Sequence, residues 1–187
     1  MYKSALLVID MVYDFTNPNG KVFFPKNKEI LPNIQKAISD ARDGGMLIIF
    51  MQHSYREGKY DQNLETMRPN CIEGTKGNDI DPSLDVRKED YVIKKRRYSA
   101  FYGTDLDLVL REHKVENVVL TGTKTNCCIR STVHDSYYNS YHTYVIRDCV
   151  ATDDEVVNQV HLTDIDKYYG DVIDLNQFES MLKDGAL

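Results

Sequence analysis

The chain has 187 residues, 42% hydrophobic and 28% charged, an ordinary composition for a soluble globular domain. Lys+Arg number 23 and Asp+Glu 29, a formal net charge of −6. This argues against a nucleic-acid binder with a basic face and against docking on an anionic membrane. Four cysteines (Cys71, Cys127, Cys128, Cys149) with no C-x-x-C pair are too few for a disulfide scaffold and form neither a zinc ribbon nor a thioredoxin-like motif.

Near the N-terminus, residues 5–9 form an apolar run, too short for a signal-peptide core, and no stretch approaches the roughly 18 apolar residues of a membrane span. The expectation is a cytoplasmic protein. The run itself reads as a buried strand. Residues 28–42 read as a helix with Ile30, Ile34, Ile38 and Ala41 on one stripe and Gly44-Gly45 as its stop. Residues 46–51 and 91–93 read as the second and third strands. Between them, residues 52–89 are polar and rich in Gly and Pro, a loop or insertion of functional length. Thr104 is placed to cap a helix carrying Leu106, Val109 and Leu110. A fourth strand follows at 117–121, a helix at 128–138, a fifth strand at 143–146 and a helix at 153–165. Residues 171–173 make a short sixth strand, and Asp174 caps a last helix with Leu175, Phe178, Met181 and Leu182.

Strands alternating with helices predict one three-layer α/β/α, Rossmann-like domain over 1–187 with a mostly parallel sheet. Ligands in such sheets bind beyond the carboxyl ends of the strands. Three reactive groups fall there: Asp10 after the first strand, Lys95 after the third and Cys128 after the fourth. Each alone has a plain explanation, as a cap, a solvated Lys94-Lys95-Arg96-Arg97 run, or a buried thiol. Together they make coherent acyl-transfer chemistry: a nucleophilic thiol, a carboxylate to move its proton, and an ammonium favouring charge on both. The helix N-terminus and the ammonium are both expected to favour the thiolate. Competing motifs fail. Thr121-Gly122-Thr123-Lys124-Thr125 lacks the Gly that a phosphate loop needs before its Lys, and there is no G-x-G-x-x-G, G-x-S-x-G or H-E-x-x-H.

Three segments then resemble one family in order. Leu7-Val8-Ile9-Asp10-Met11-Val12-Tyr13-Asp14-Phe15 looks like the opening strand and aspartate of the isochorismatase-like cysteine hydrolases. The segment from Lys95 through Ser99-Ala100-Phe101 to Gly103-Thr104 is similar to their K-x-x-x-S-A-F-x-G-T motif. Thr121-Gly122-Thr123-Lys124-Thr125-Asn126-Cys127-Cys128 is similar to their T-G-x-x-T-N-x-C motif. This superfamily holds nicotinamidases, N-carbamoylsarcosine amidase and ureidoacrylate amidases.

The resemblance implies a six-stranded parallel sheet of order 3-2-1-4-5-6. It implies Cys128 as nucleophile, Asp10 as proton-transfer carboxylate and Lys95 as catalytic lysine. It further implies a cis peptide at Thr123–Lys124 and an oxyanion hole made by the backbone N–H groups of Lys124 and Cys128. Cys127 would line the pocket. Two strand spacings, roughly 10 Å, would separate Lys95 from the first strand, so its side chain must reach across. Phe15, His53, Tyr98 and Tyr102 are candidate substrate-binding residues, and Arg68 is a possible carboxylate anchor. The metal-binding D-x-H of nicotinamidases reads Met51-Gln52-His53 here, so no metal and no cofactor are expected. The reading is a metal-independent amidohydrolase of a small amide, carbamoyl or ureido substrate. The alternatives are a nicotinamidase and a non-catalytic, redox-sensing relative using Cys127-Cys128. The thirteen tyrosines suit an oligomer interface, and members of the resembled family are often dimers or tetramers, so the resemblance implies a homo-oligomer.

Overall fold

A computed structural model describes residues 2–187. Six strands form one all-parallel sheet, β1 (Ser4–Ile9), β2 (Leu47–His53), β3 (Tyr91–Lys95), β4 (Asn117–Thr123), β5 (His142–Ala151) and β6 (Asp171–Ile173), in the order β3-β2-β1-β4-β5-β6. The helices are α1 (Tyr13–Thr16), α2 (Pro25–Glu29), α3 (Leu31–Asp43), α4 (Leu106–Glu112), α5 (Arg130–Tyr138), α6 (Glu155–Tyr168) and α7 (Leu175–Lys183).

The alternation along β1 divides the core. Ala5, Leu7 and Ile9 pack with Leu106, Val109 and Leu110 of α4, Val133 of α5, and Leu162 and Ile165 of α6. Leu6 and Val8 pack on the other face with Ile34, Ala37, Ile38 and Ala41 of α3 and Phe178 of α7. Every residue of β1 is buried. A strand apolar on both faces belongs in the middle of such a sandwich, and each fully buried Leu or Ile contributes roughly 1.5–3 kcal/mol.

Several boundaries move. The helix expected at 28–42 is two helices meeting at Ile30, because Pro32 lacks an N–H and its ring would clash with the carbonyl of Lys28 in a continuous helix. Helix α1 had no apolar stripe long enough to announce it. The fourth helix starts at Leu106 with Asp105 at the N-cap position, not Thr104; the Thr104 hydroxyl instead bonds the Ala100 carbonyl while accepting the Leu106 N–H. Strand β5 runs on to Ala151, with a register shift opposite Leu120 and Gly122. Helix α6 starts later than expected, after the Asp154 cap, and runs on to Tyr168. Asp174 and Gln177 form a reciprocal capping box at α7. Among the described residues no helix is long and apolar enough to cross a membrane.

Candidate active site

The carboxyl ends of β1, β3 and β4 converge on one buried cluster. Asp10 follows β1 with φ +57, a left-handed conformation that Asp tolerates better than most residues. Its amide donates to the Met51 carbonyl at 2.9 Å and its carbonyl accepts from Val12 at 2.8 Å. Across the sheet, Gly122 pairs with Ile9. A Cβ at Gly122, where φ is +111, would lie 2.0 Å from the Ile9 carbonyl oxygen. Only glycine permits this approach, which fixes the backbone from which Asp10 projects.

Lys95 closes the separation that the sheet order imposes. Tyr91, Ile93 and Lys95 alternate onto one face of β3, so Lys95 turns inward while Lys94 points out to Glu73 at 3.1 Å. The register places Lys95 beside His53, two residues beyond Met51, the partner of Ile9. From there its side chain crosses the ends of β2 and β1. Lys95 Nζ lies 2.7 Å from Asp10 Oδ2, 3.0 Å from the Arg97 carbonyl, 3.3 Å from His53 Nδ1 and 3.5 Å from Cys128 Sγ. An ammonium has three N–H donors, so four acceptors saturate it. Both Asp10 oxygens are buried without an aligned hydrogen-bond partner, and Oδ2 is met by the Lys95 ammonium as an ion pair.

Cys128 sits in a single π-helical turn (Thr125–Ile129) between β4 and α5, a geometry frequent at functional sites. The Thr123–Lys124 peptide bond before it is cis. Other residues of the recurring motifs act as struts. The Ala100 amide donates to Thr132 Oγ1 at 3.0 Å, Thr132 Oγ1 donates to the Cys128 carbonyl at 2.6 Å, and the Ser99 hydroxyl donates to Asp135. These bonds tie the loop after β3 to the turn that carries the thiol.

The electrostatics depart from the expectation of a preformed thiolate. Burial, and then the Asp10 charge, push the Cys128 thiol up, and Lys95 offsets this only in part. Burial alone would lower Lys95, but Asp10 and Cys128 hold it above its ordinary value. His53 is pushed down to about 4 by burial and then by Lys95, so it is neutral near pH 7. Donor atoms of Asp10, His53 and Cys128 lie within 4.8 Å of one another, a spacing that could hold a metal ion. The Lys95 ammonium lies within 3.5 Å of all three residues' polar atoms, so a charged lysine already serves that donor set.

Cys128 opens on a cavity of about 170 Å³ lined by Phe15, Val22, His53, Tyr55, Met67, Asn70, Tyr98, Lys124 and Cys127. Of the candidates named from the sequence, Phe15, His53 and Tyr98 line this cavity. Tyr102 does not: it is exposed and borders a different groove. Arg68 is also absent from the lining, and its guanidinium bonds the Lys21 carbonyl at 3.3 Å. Nothing in the sequence marks Val22, Tyr55, Met67 and Asn70 for this wall, since three of them sit in loops without periodicity and Tyr55 just follows β2.

The isochorismatase domain pattern matches residues 4–177. The chain belongs to the isochorismatase family. This isochorismatase-family chain is 32% identical to an isochorismatase-like hydrolase from Alkaliphilus metalliredigens, with a TM-score of 0.90 over 95% of this chain and 98% of that one. It is 25% identical to a cysteine hydrolase from Pseudomonas syringae pv. phaseolicola 1448A, with a TM-score of 0.92 over 97% and 93% of the two chains. It is 28% identical to N-carbamoylsarcosine amidase from Thermoplasma acidophilum, with a TM-score of 0.82 over 93% and 97%.

Proposed function

We infer that this family member is a metal-independent cysteine amidohydrolase acting on a small amide, carbamoyl or ureido substrate. The observation that carries the reading is the buried Lys95 ammonium in contact with both Asp10 Oδ2 and Cys128 Sγ, with the thiol opening on a small cavity. The likeness to a cysteine hydrolase and to an N-carbamoylsarcosine amidase supports the same chemistry.

The substrate carbonyl enters the cavity beside Cys128. Its mostly hydrophobic walls and small volume select a small acyl portion. The thiol begins protonated. As sulfur attacks the carbonyl carbon, its proton passes to the Asp10 carboxylate and the carbonyl electrons move onto oxygen. The backbone N–H groups of Lys124 and Cys128, two residues that border the cavity, take the oxyanion role. Collapse of the tetrahedral adduct breaks the C–N bond, and the proton held by Asp10 leaves with ammonia or an amine. Water, deprotonated by Asp10, then cleaves the thioester and restores the thiol. Lys95 holds Asp10 in place and screens its charge from the sulfur. Neutral His53 accepts from Lys95 through Nδ1 and presents its other nitrogen as a donor.

The test is ammonia release from a panel of primary amides, carbamoyl and ureido compounds and nicotinamide, with and without chelator. Cys128→Ala should abolish turnover, and mass spectrometry of the native enzyme with a slow substrate should find the acyl group on Cys128. Turnover surviving in Cys128→Ala, or lost on chelation, overturns the reading.

A further inference from the structure

A second cavity of about 450 Å³ lies beside the first, lined by Arg56, Lys59, Tyr60, Asp61, Gln62, Arg96, Arg97, Tyr102 and Gly103. The two linings share no residue, although they meet at Tyr55/Arg56 and at Arg97/Tyr98. Four cations and a single carboxylate line this groove in a chain whose net charge is −6. Asp61 takes up only Arg97, with both carboxylate oxygens 3.1 Å from Nη1. Arg56, Lys59 and Arg96 form no ion pair among the described residues. Glu73, which Arg96 feels at longer range, is already held by Lys94 at 3.1 Å.

We propose that this groove binds a small multivalent oxyanion, a phosphate- or carboxylate-bearing molecule, at a site distinct from the Cys128 cavity. Three unpaired cations crowded into one concavity repel each other, and a ligand with two or more negative charges relieves that repulsion. Guanidinium groups suit phosphate and carboxylate because they donate two parallel hydrogen bonds. Within the groove, Arg97 already pairs with a carboxylate, that of Asp61. The exposed rings of Tyr60 and Tyr102 add flat faces at the rim. The occupant is small because the groove is small and the acidic chain repels an extended polyanion.

The experiment is calorimetric titration of the full-length Cys128→Ala protein with inorganic pyrophosphate and, separately, citrate. Using that variant makes the outcome independent of whether Cys128 is the nucleophile. Saturable 1:1 binding of pyrophosphate or citrate is expected, with Kd of about 1 mM or tighter at low salt. It should weaken several-fold at about 0.15 M salt, where screening shortens to about 8 Å. Arg56→Gln with Arg96→Gln should weaken it at least about tenfold, the loss of roughly one charge-assisted bond; Lys59→Gln, a milder change at an exposed side chain, should weaken it less. Arg68→Gln, outside the groove, should bind as the parent does. No saturable binding of either anion, or equal affinity in the groove variants, overturns the proposal.

Discussion

Lys95 Nζ and Asp10 Oδ2 are 2.7 Å apart, both fully buried, although β3 and β1 are not neighbours in the sheet. A buried ion pair of this kind is costly to break, because either partner alone is an uncompensated charge. It is therefore the point where the stability of the site and its chemistry are coupled.

Asp10→Asn separates thiol reactivity from turnover. The Asp10 charge helps hold the Cys128 thiol protonated, while Lys95 acts the other way. Removing that charge should lower the thiol's pKa, so Cys128 should alkylate faster with iodoacetamide, read by mass spectrometry at that residue. Turnover should nevertheless fall about 10²–10⁴-fold, the usual contribution of a proton-transfer group. Lys95→Met should shift alkylation the other way. Slower alkylation in Asp10→Asn would show that the carboxylate does not hold the proton on sulfur.

His53 gives stability a pH dependence of definite sign. Its folded pKa of about 4 lies below the ordinary 6.5. Between those values the unfolded chain binds the extra proton, so this contribution is complete above about pH 6.5 and is lost as pH falls towards 4. The limiting slope is about 1.4 kcal/mol per pH unit. Urea unfolding of His53→Gln should show a flatter profile than the parent between pH 4 and 6.5. Parallel profiles would mean that His53 titrates alike in both states.

Much of this was legible in the residues because short apolar runs and helical stripes report burial directly. β1 and β6 fall at or within one residue of their expected bounds, whereas β5 runs five residues past its apolar stretch into Arg147 and Asp148. The grouping of Asp10, Lys95 and Cys128 was readable from their places at three strand ends and from three motifs in order, but their direct contact was not, since spacing along the chain carries no information about a side chain crossing two strands. The remaining part of the cavity wall was illegible for a related reason. Asn70 and Met67 belong to the segment between His53 and Tyr91, whose path is set by individual hydrogen bonds. Tyr102 borders the neighbouring groove, because a motif fixes order, not the direction a loop side chain takes.

Gly122→Ala tests the close approach of β4 to β1. The new Cβ would meet the Ile9 carbonyl at 2.0 Å in a conformation with φ +111. Backbone must move, at a cost of about 2–4 kcal/mol from steric overlap and an unfavourable φ together. Asp10, one residue after Ile9, moves with it, so kcat should fall in the protein that remains folded. Urea unfolding with an unchanged midpoint would show that the two strands part freely.

Asp14 is the hinge pin of the cavity wall. Its buried carboxylate accepts the Lys21 amide at 3.1 Å through Oδ1 and the Cys71 amide at 2.7 Å through Oδ2. The residues adjoining those amides, Val22 and Asn70, both line the cavity beside Cys128. Gly77 packs against the same carboxylate so closely that a Cβ there would lie 2.3 Å from Oδ2. Asp14→Ala leaves two backbone donors without their partner, at about 1–3 kcal/mol for each that stays buried. Both wall segments should loosen, while Asp10, Lys95 and Cys128 keep their contacts with one another. The expected signature is a raised KM with a smaller change in kcat, and a partial return in Asp14→Asn, which keeps one carbonyl acceptor. A fall in kcat at unchanged KM would mean that Asp14 acts on the reacting groups and not through the wall.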